Sequence, residues 1–581
     1  MKKFDPVTVI GSLVCVVALA LIFAHNWIQA RQVPAPAAPS TPVVSNEAPA
    51  VTPAPAAPQN PVTLPAVEVP GEPVILGEGQ AMEVKMDSHG RGIQTVTLSD
   101  FRLQTRDPEL AKDPLTMGEG SVPFLALTLG GNTSLHTLSS TADHHSLATS
   151  RVSGDQVWSL QESWTLEDPE KAPYTILYTL RITNTSQEPR TLANATLSCG
   201  ALPDFLAKGE GNTSFSKYLS GCVAYGRVGK NDAKTLDMKK ISPEKMTAEK
   251  RAQYENTPAN WVGVSSKYFL FALRNLAVDG QPATFRGFSP RQPAELLPLP
   301  CYSAAALLPE LSLAPGESAT ITLSGYAGPK SLQNLKPMGQ GLPSILNMDL
   351  FFFWHFDWMG WLCQILLMGL NGIAGWFPPS CAYGMAIILI TLLVKLVFMP
   401  LAWHSTRSMK RMSALQPQLK VLREKYKEDP QRMYYEQQKL FKENNVSQMG
   451  GCLPMLVQIP VFFAMFNTFR GAIEIRNASF LWVADLSMPD PIFGLPIHPL
   501  AILTGATMFL QQKLQPMPDP NQARMMNIMS LVFIVFFYNM PAGLTLYMTV
   551  NQLTSILQML LFRRMEKKAG VAPDAPQKKA A

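Results

Sequence analysis

One cation stands inside a stretch apolar enough to cross a bilayer. Tyr383–Leu401 reads Tyr-Gly-Met-Ala-Ile-Ile-Leu-Ile-Thr-Leu-Leu-Val-Lys-Leu-Val-Phe-Met-Pro-Leu, with Lys395 about two-thirds of the way along. A hydrocarbon core of ~30 Å needs roughly 20 apolar residues as a helix. A charge at that depth is costly, which makes it a functional-site expectation by default. Thr391 lies one turn earlier on the same helical face. Two readings stay open. The lysine stem can snorkel to the cytoplasmic interface, about 9 Å away at 1.5 Å per residue. Alternatively, the ammonium sits in a wet groove with polar residues of neighbouring spans: Gln458, Thr504, Thr507, Tyr547, Asn551 and Gln552. Both put the charge in the inner leaflet, and any cavity around it opens to the cytoplasm.

The chemistry that is missing narrows the function. No clear spanning stretch offers Lys395 an Asp or Glu, whereas proton-coupled transport relies on carboxylate relays. The chain has no CxxC and no zinc-type Cys/His spacing. It has no defensible Ser/His/Asp set and no glycine-rich phosphate loop. His89, His136, His144 and His145 are scattered, and His355, His404 and His498 fall on different faces. We therefore expect no catalytic residue, no metal and no cofactor. A membrane-bound lipid- or glycan-modifying enzyme would need convergent ligands or a nucleophile. A polytopic transporter would need repeats or intramembrane carboxylates. Pairing among Cys199, Cys222 and Cys301 cannot be read from the sequence.

The elements that position these residues follow from composition. The chain has 581 residues, 47% hydrophobic and 16% charged, with the apolar residues concentrated after residue 350. This implies a polytopic helical membrane protein with one large soluble insert. Residues 1–30 read as a retained transmembrane anchor, with a cleaved signal as the alternative. Residues 31–74 are a Pro/Ala-rich linker. From 75 to 335 the period changes to two, as in Tyr174–Ile182, which predicts an antiparallel β-sandwich. Residues 350–377 are aromatic and carry His355 and Asp357, which predicts an interfacial helix on the outer face. The segment 383–401 then crosses inward, and 402–449 forms a basic helical hairpin. Four further spans occupy 450–562, and 563–581 is a basic tail. Every cytoplasmic segment is then basic, so six spans with both termini inside satisfy the positive-inside rule. Leu495–Leu510 and Met525–Met540 hold only about sixteen residues each, a length that thins the bilayer locally. Methionines such as Met455, Met465, Met508 and Met529 offer adaptable apolar surface.

Several stretches resemble a known family. They are Gly450-Gly451-Cys452-Leu453-Pro454-Met455-Leu456-Val457-Gln458-Ile459-Pro460-Val461-Phe462, Leu415-Gln416-Pro417, and Pro541-Ala542-Gly543-Leu544-Thr545-Leu546-Tyr547. Asn260-Trp261-Val262-Gly263 with Lys267-Tyr268-Phe269, and Tyr326-Ala327-Gly328-Pro329, add to them. Together they resemble the YidC-type membrane protein insertases of Gram-negative bacteria. The resemblance implies six spans, a five-helix insertase core with a cytoplasmic hairpin, and a periplasmic β-supersandwich. It implies a non-enzymatic insertase and chaperone of the inner membrane, acting alone or with the Sec translocon. Its partners are nascent inner-membrane proteins and lipid, with the hairpin and basic tail as expected ribosome contacts. Clients slide along Met455, Pro460, Phe533 and Phe537. The family's groove cation is usually arginine. Lys395 keeps the charge and loses the planar fork.

Overall fold

The structure is a computed structural model. It describes residues 74–87, 91–102, 113–118, 122–130, 134–203, 222–230, 232–237, 246–291, 301–348, 350–351, 354–444, 453–491, 497–514 and 520–568. The expected anchor, nearly all of the linker, Gly450–Cys452 and the tail beyond 568 lie outside the described residues.

Alternation along each strand decides which face is buried. In Thr175–Asn184, Ile176, Tyr178, Leu180 and Ile182 are fully buried while Leu177, Thr179, Arg181 and Thr183 turn outward. Register fixes what they meet: Tyr178 lies opposite Leu323 and Trp164, and Leu180 opposite Ile321 and Glu162. Two large antiparallel sheets result. One runs Ile75–Leu76, Met82–Met86, Ile93–Arg102, Phe124–Thr128, Thr196–Pro203, Cys301–Leu307, Gly287–Arg291, with Pro114–Met117 also on Ile93–Arg102. The other runs Ala233–Asp237, Cys222–Arg227, Ala259–Ser265, Phe269–Val278, Ser318–Pro329, Thr175–Asn184, Trp158–Leu166, Ser146–Ser153, Leu135–Ala142. Their inner faces meet through Phe124 and Phe271, stacked at 4.9 Å. Gly200, with φ +71°, lets the backbone pass those rings, where a Cβ would come within 2.9 Å of Phe271.

The second sheet buries an ion pair. Arg151 donates to Glu162 at 2.7 Å, and the Tyr178 hydroxyl donates to the other carboxylate oxygen at 2.7 Å. A charge so placed is tolerated only because each partner satisfies the other.

The helices are α1 (Ala248–Glu255), α2 (Leu332–Leu335), α3 (Asp357–Ala374), α4 (Ala382–Ala414), α5 (Gln416–Lys425), α6 (Pro430–Glu443), α7 (Leu453–Gly471), α8 (Pro499–Leu514), α9 (Pro520–Tyr538) and α10 (Ala542–Lys568). Helix α3 is two-faced. Met359, Cys363, Leu366 and Leu370 are buried, while Trp358, Trp361, Ile365 and Met368 are exposed. Among the described residues one helical stretch, Ala382–Trp403, is long and apolar enough to cross a membrane. Leu396 and Val397 of α4, Phe509 and Leu510 of α8, Leu531 and Val535 of α9, and Leu557 and Leu561 of α10 are all exposed. Apolar faces of that extent suit lipid rather than water.

The polarity change after Leu401 does not end the helix. Helix α4 runs 33 residues through Pro400 to Ala414, so the first arm of the basic hairpin begins as its continuation. The break falls at Leu415, where Pro417 in the first turn of α5 removes a helical N–H. Asp429 caps α6 by accepting from Arg432 N at 3.0 Å, and Pro430 opens it. Leu415, Leu419 and Phe441 form the hairpin's own small core with Met412 and Leu440.

Candidate functional site

Lys395 leaves α4 toward α10. Its ammonium donates to Ser555 Oγ at 2.7 Å, and Ser555 Oγ donates in turn to Asn551 O at 2.9 Å. Leu392, Leu393, Leu396 and Val397 on the same turns are exposed, so the cation sits at the edge of an apolar surface. The sequence α4 and α7–α9 carry contains no Asp or Glu, and α10 has only Glu566, in its last turn. The charge therefore rests on a neutral hydroxyl. Asn551 and Gln552 are buried in α10 one turn before Ser555.

A second polar contact ties α7 to α10. Gln458 donates from Nε2 to the Tyr547 hydroxyl at 2.9 Å, and the Tyr547 ring is fully buried beside Phe469. Pro460 lies two residues beyond Gln458 within α7 and is half-buried.

The threonines behave differently from the expected groove lining. The hydroxyls of Thr504 and Thr549 lie 2.7 Å apart across α8 and α10. One donates to the other, and the second donates back to its own helix, to Leu500 O or Thr545 O at 2.8 Å. Thr507 donates to Leu503 O or Thr504 O at 2.9 Å, and Thr391 to Ile387 O at 2.6 Å. All are buried. Back-bonding of this kind hides a hydroxyl within a helical bundle. These side chains hold helices together, while Lys395–Ser555 and Gln458–Tyr547 are the side-chain contacts that tie α4 and α7 to α10. Helices α8 and α9 approach at Gly505, where any Cβ would collide with Ile534.

Of the expected slide residues, Phe533 is half-buried and stacks at 5.9 Å on Phe537, which is buried. Phe537 is thus packed inside and not presented at the surface. The Met455 side chain lies outside the described residues. Ser555 was not singled out by the sequence. Its only signal is spacing, since Asn551, Ser555 and Gln558 recur at i, i+4 and i+7 on α10. Gln558 Nε2 and Gln512 Oε1 of α8 are buried without hydrogen-bond partners among the described residues. They add polar capacity toward the same end of the bundle, where Trp403 packs on Phe562 at 5.2 Å.

The opposite end is closed by residues 472–491. Phe480 fills the notch at Gly384, where any Cβ would collide with its ring. Met488 O and Leu486 O accept from Ala542 N and Gly543 N, both at 2.7 Å, satisfying two orphan donors at the start of α10. Asp490 Oδ2 accepts from Leu500 N at 2.7 Å in the first turn of α8. Burial pushes the Asp490 carboxyl above its ordinary range.

Comparison with known proteins bears on this arrangement. Residues 153–366 match the YidC periplasmic domain, and residues 376–569 match the 60Kd inner membrane protein family. The membrane protein insertase YidC of Nitrosomonas europaea is 39% identical over 328 residues, covering 55% of this chain and 49% of that protein. That of Syntrophus aciditrophicus is 34% identical over 353 residues, covering 59% of each.

Both halves of the chain resemble the YidC insertases.

The all-β region lies largely within the match to the periplasmic domain, and α4 to α10 lie within the match to the inner membrane protein family. The chain spans only about half to three-fifths of the length of these curated relatives. A solved chain, "Active YidC insertase crystal structure with the first transmembrane domain resolved", aligns with a TM-score of 0.32 at 18% identity, covering 84% of this chain and 93% of that one.

Proposed function

We propose that this chain inserts and folds inner-membrane proteins through a hydrophilic groove open to the cytoplasm and to lipid. The observation that carries the reading is Lys395, a cation held by the hydroxyl of Ser555, with no Asp or Glu in α4 or α7–α9 and only Glu566, in the last turn, in α10. An unneutralised charge at depth attracts an anionic or polar guest. The acidic or polar tail of an incoming segment supplies the counter-charge while its apolar part moves along α7 and α9 into lipid. Partitioning of about 20 apolar residues into the bilayer then drives release, so no nucleotide site is required.

The topology that goes with this reading has six spans: an N-terminal anchor, α4, and α7 to α10. Both termini are cytoplasmic, and the β-sandwich is periplasmic. The domains are 1–30 anchor, 31–74 linker, 75–335 sandwich, 350–377 interfacial helix, 383–401 span, 402–449 hairpin, 450–562 four spans and 563–581 tail. The exposed tryptophans of α3 suit the outer interface. The short apolar length of α8 and α9 suits a locally thinned bilayer. Action beside the Sec translocon, and ribosome contact through the hairpin and tail, belong to the same reading.

The test is substitution with an insertion assay in reconstituted vesicles. Lys395→Arg retains insertion, and Lys395→Glu abolishes it. Full insertion by Lys395→Ala for every client tried would reduce Lys395 to a snorkelling side chain. Crosslinks from positions around Lys395 to a stalled nascent chain separate an insertase from a transporter or a lipid-modifying enzyme.

A further inference from the structure

Where the β-sandwich meets the helical bundle, cations gather without acids among the described residues. Lys267 sits in the turn between Ala259–Ser265 and Phe269–Val278, its ammonium 4.5 Å from the centre of the Tyr268 ring. Lys330 follows the strand Ser318–Pro329, and its backbone N–H donates to Tyr268 O at 2.7 Å. Its side chain is only 7% exposed. Arg476 lies over the same Tyr268 ring at 5.9 Å and over Phe269 at 5.5 Å. Arg470, in the last turn of α7, lies over Phe466 at 5.7 Å. Burial, together with the positive charges of Arg470 and Lys267, pushes the Lys330 ammonium down to about 8.

Two features point to a missing partner. Among the described residues neither Lys330 nor Arg470 forms an ion pair. Glu474, close in sequence, turns instead toward Asn371 and Tyr383. The Tyr268 hydroxyl is also buried with no hydrogen-bond partner among the described residues. A buried donor without an acceptor and a buried ammonium without a counter-ion are both unfavourable. One guest relieves both: an anion with several acceptor oxygens, for which phosphate is the fitting chemistry. Lys267 and Arg470 are only partly buried, which gives the cluster an open side.

We propose that Tyr268, Lys267, Lys330 and Arg470 bind the phosphate of an anionic phospholipid in the outer leaflet, fastening the sandwich to the bilayer. This rests on the reading of α7 as a span whose last turn reaches headgroup depth. Aromatic residues such as Tyr268, Phe269 and Phe466 suit that depth. Among the described residues no carboxylate faces the site to hold a choline or ethanolamine ammonium, so the site selects a net-negative headgroup such as phosphatidylglycerol.

The experiment is native mass spectrometry of the full chain in detergent, titrated separately with phosphatidylglycerol, phosphatidylcholine and inorganic phosphate. The wild type retains one more phosphatidylglycerol than the Lys330→Gln/Arg470→Gln variant, and prefers it over phosphatidylcholine. Each cation removed weakens retention about fivefold, the worth of one basic residue at a charged lipid surface. Tyr268→Phe lowers retention further, and the charge-keeping Lys330→Arg/Arg470→Lys variant holds the lipid. Equal retention by wild type and the double glutamine variant overturns the proposal. So does binding of inorganic phosphate without phosphatidylglycerol, which would make the guest a free ion. Lys395→Glu, which abolishes the proposed insertion, leaves lipid retention unchanged, so failure of one reading does not imitate failure of the other.

Discussion

Gln458 donates to the Tyr547 hydroxyl at 2.9 Å, which links a proline-containing helix, α7, to the last helix, α10. Both residues are single polar groups within apolar surroundings, so each depends on the other. Tyr547→Phe leaves the Gln458 amide unsatisfied and lowers stability by about 1 kcal/mol, the scale of an interhelical hydrogen bond in a bilayer. Gln458→Leu costs a similar amount, and the double variant costs less than the sum. Thermal unfolding of the four chains in detergent measures the coupling. Strict additivity would mean that the contact carries no energy.

The Lys395–Ser555 contact predicts a sharp difference between two substitutions of one residue. Ser555→Ala removes a neutral acceptor that water in an open groove replaces, so insertion changes little. Ser555→Asp supplies a permanent counter-charge about 2.7 Å from the ammonium and competes with the client. Insertion falls about tenfold or more, equivalent to roughly 1.4 kcal/mol of lost attraction. Equal activity of the two variants would contradict the role given to the unpaired charge.

Gly384 carries a steric prediction. Its missing Cβ leaves room for the ring of Phe480. Gly384→Ala forces that ring out and destabilises by about 1–3 kcal/mol, the range for overpacking. The pair Gly384→Ala/Phe480→Ala recovers part of the loss because the shorter side chain clears the notch. Melting temperature and protease sensitivity of residues 472–491 report both effects.

The ion pair inside the sandwich predicts an asymmetric cost. Arg151→Met strands Glu162 in a dry interior and costs about 3–5 kcal/mol. Arg151→Met/Glu162→Leu removes both charges and recovers much of it, with the Tyr178 hydroxyl as the remaining orphan. Chemical denaturation followed by tryptophan emission detects the difference, since Trp164 lies against Tyr178 at 5.5 Å.

Lys330 sets a pH dependence at the junction. Burial lowers its folded-state pKa to about 8 from 10.5. Between those values the unfolded chain binds more protons than the folded one, so stability rises with pH across that window. Below about 8 the cost of the buried charge is present in full. At ~1.4 kcal/mol per unit the whole window is worth up to about 3 kcal/mol. The difference in melting temperature between wild type and Lys330→Met, followed from pH 7 to 10 in lipid-free detergent, shrinks or reverses as the lysine loses its proton. A flat difference would place the ammonium in water.

Strand periodicity and the charge inside Tyr383–Leu401 were legible because each is a local pattern. The two-residue alternation of Thr175–Asn184 is enough to choose its buried face. The roles of Thr504 and Thr507 were not legible. A threonine on a helix looks the same whether it lines water or donates to the carbonyl four residues earlier, and packing against Thr549 decides between them. Helix α4 outruns Leu401 because a change from lipid to water alters side chains and not backbone hydrogen bonding. The cation cluster was hidden for another reason. Lys267, Lys330 and Arg470 come from segments far apart in sequence, and only the fold brings them to one place.

The closed end of the bundle has a consequence for energy conservation. Phe480 seated at Gly384, and the carbonyls of Leu486 and Met488 bonded to the start of α10, pack that end among the described residues. On the proposed insertion reading, the groove around Lys395 is then blind. A blind recess carries no current, so a hydrophilic tail can enter from one side without short-circuiting the ion gradient across the membrane. On that reading the site can stand open without a gate because it leads nowhere for an ion.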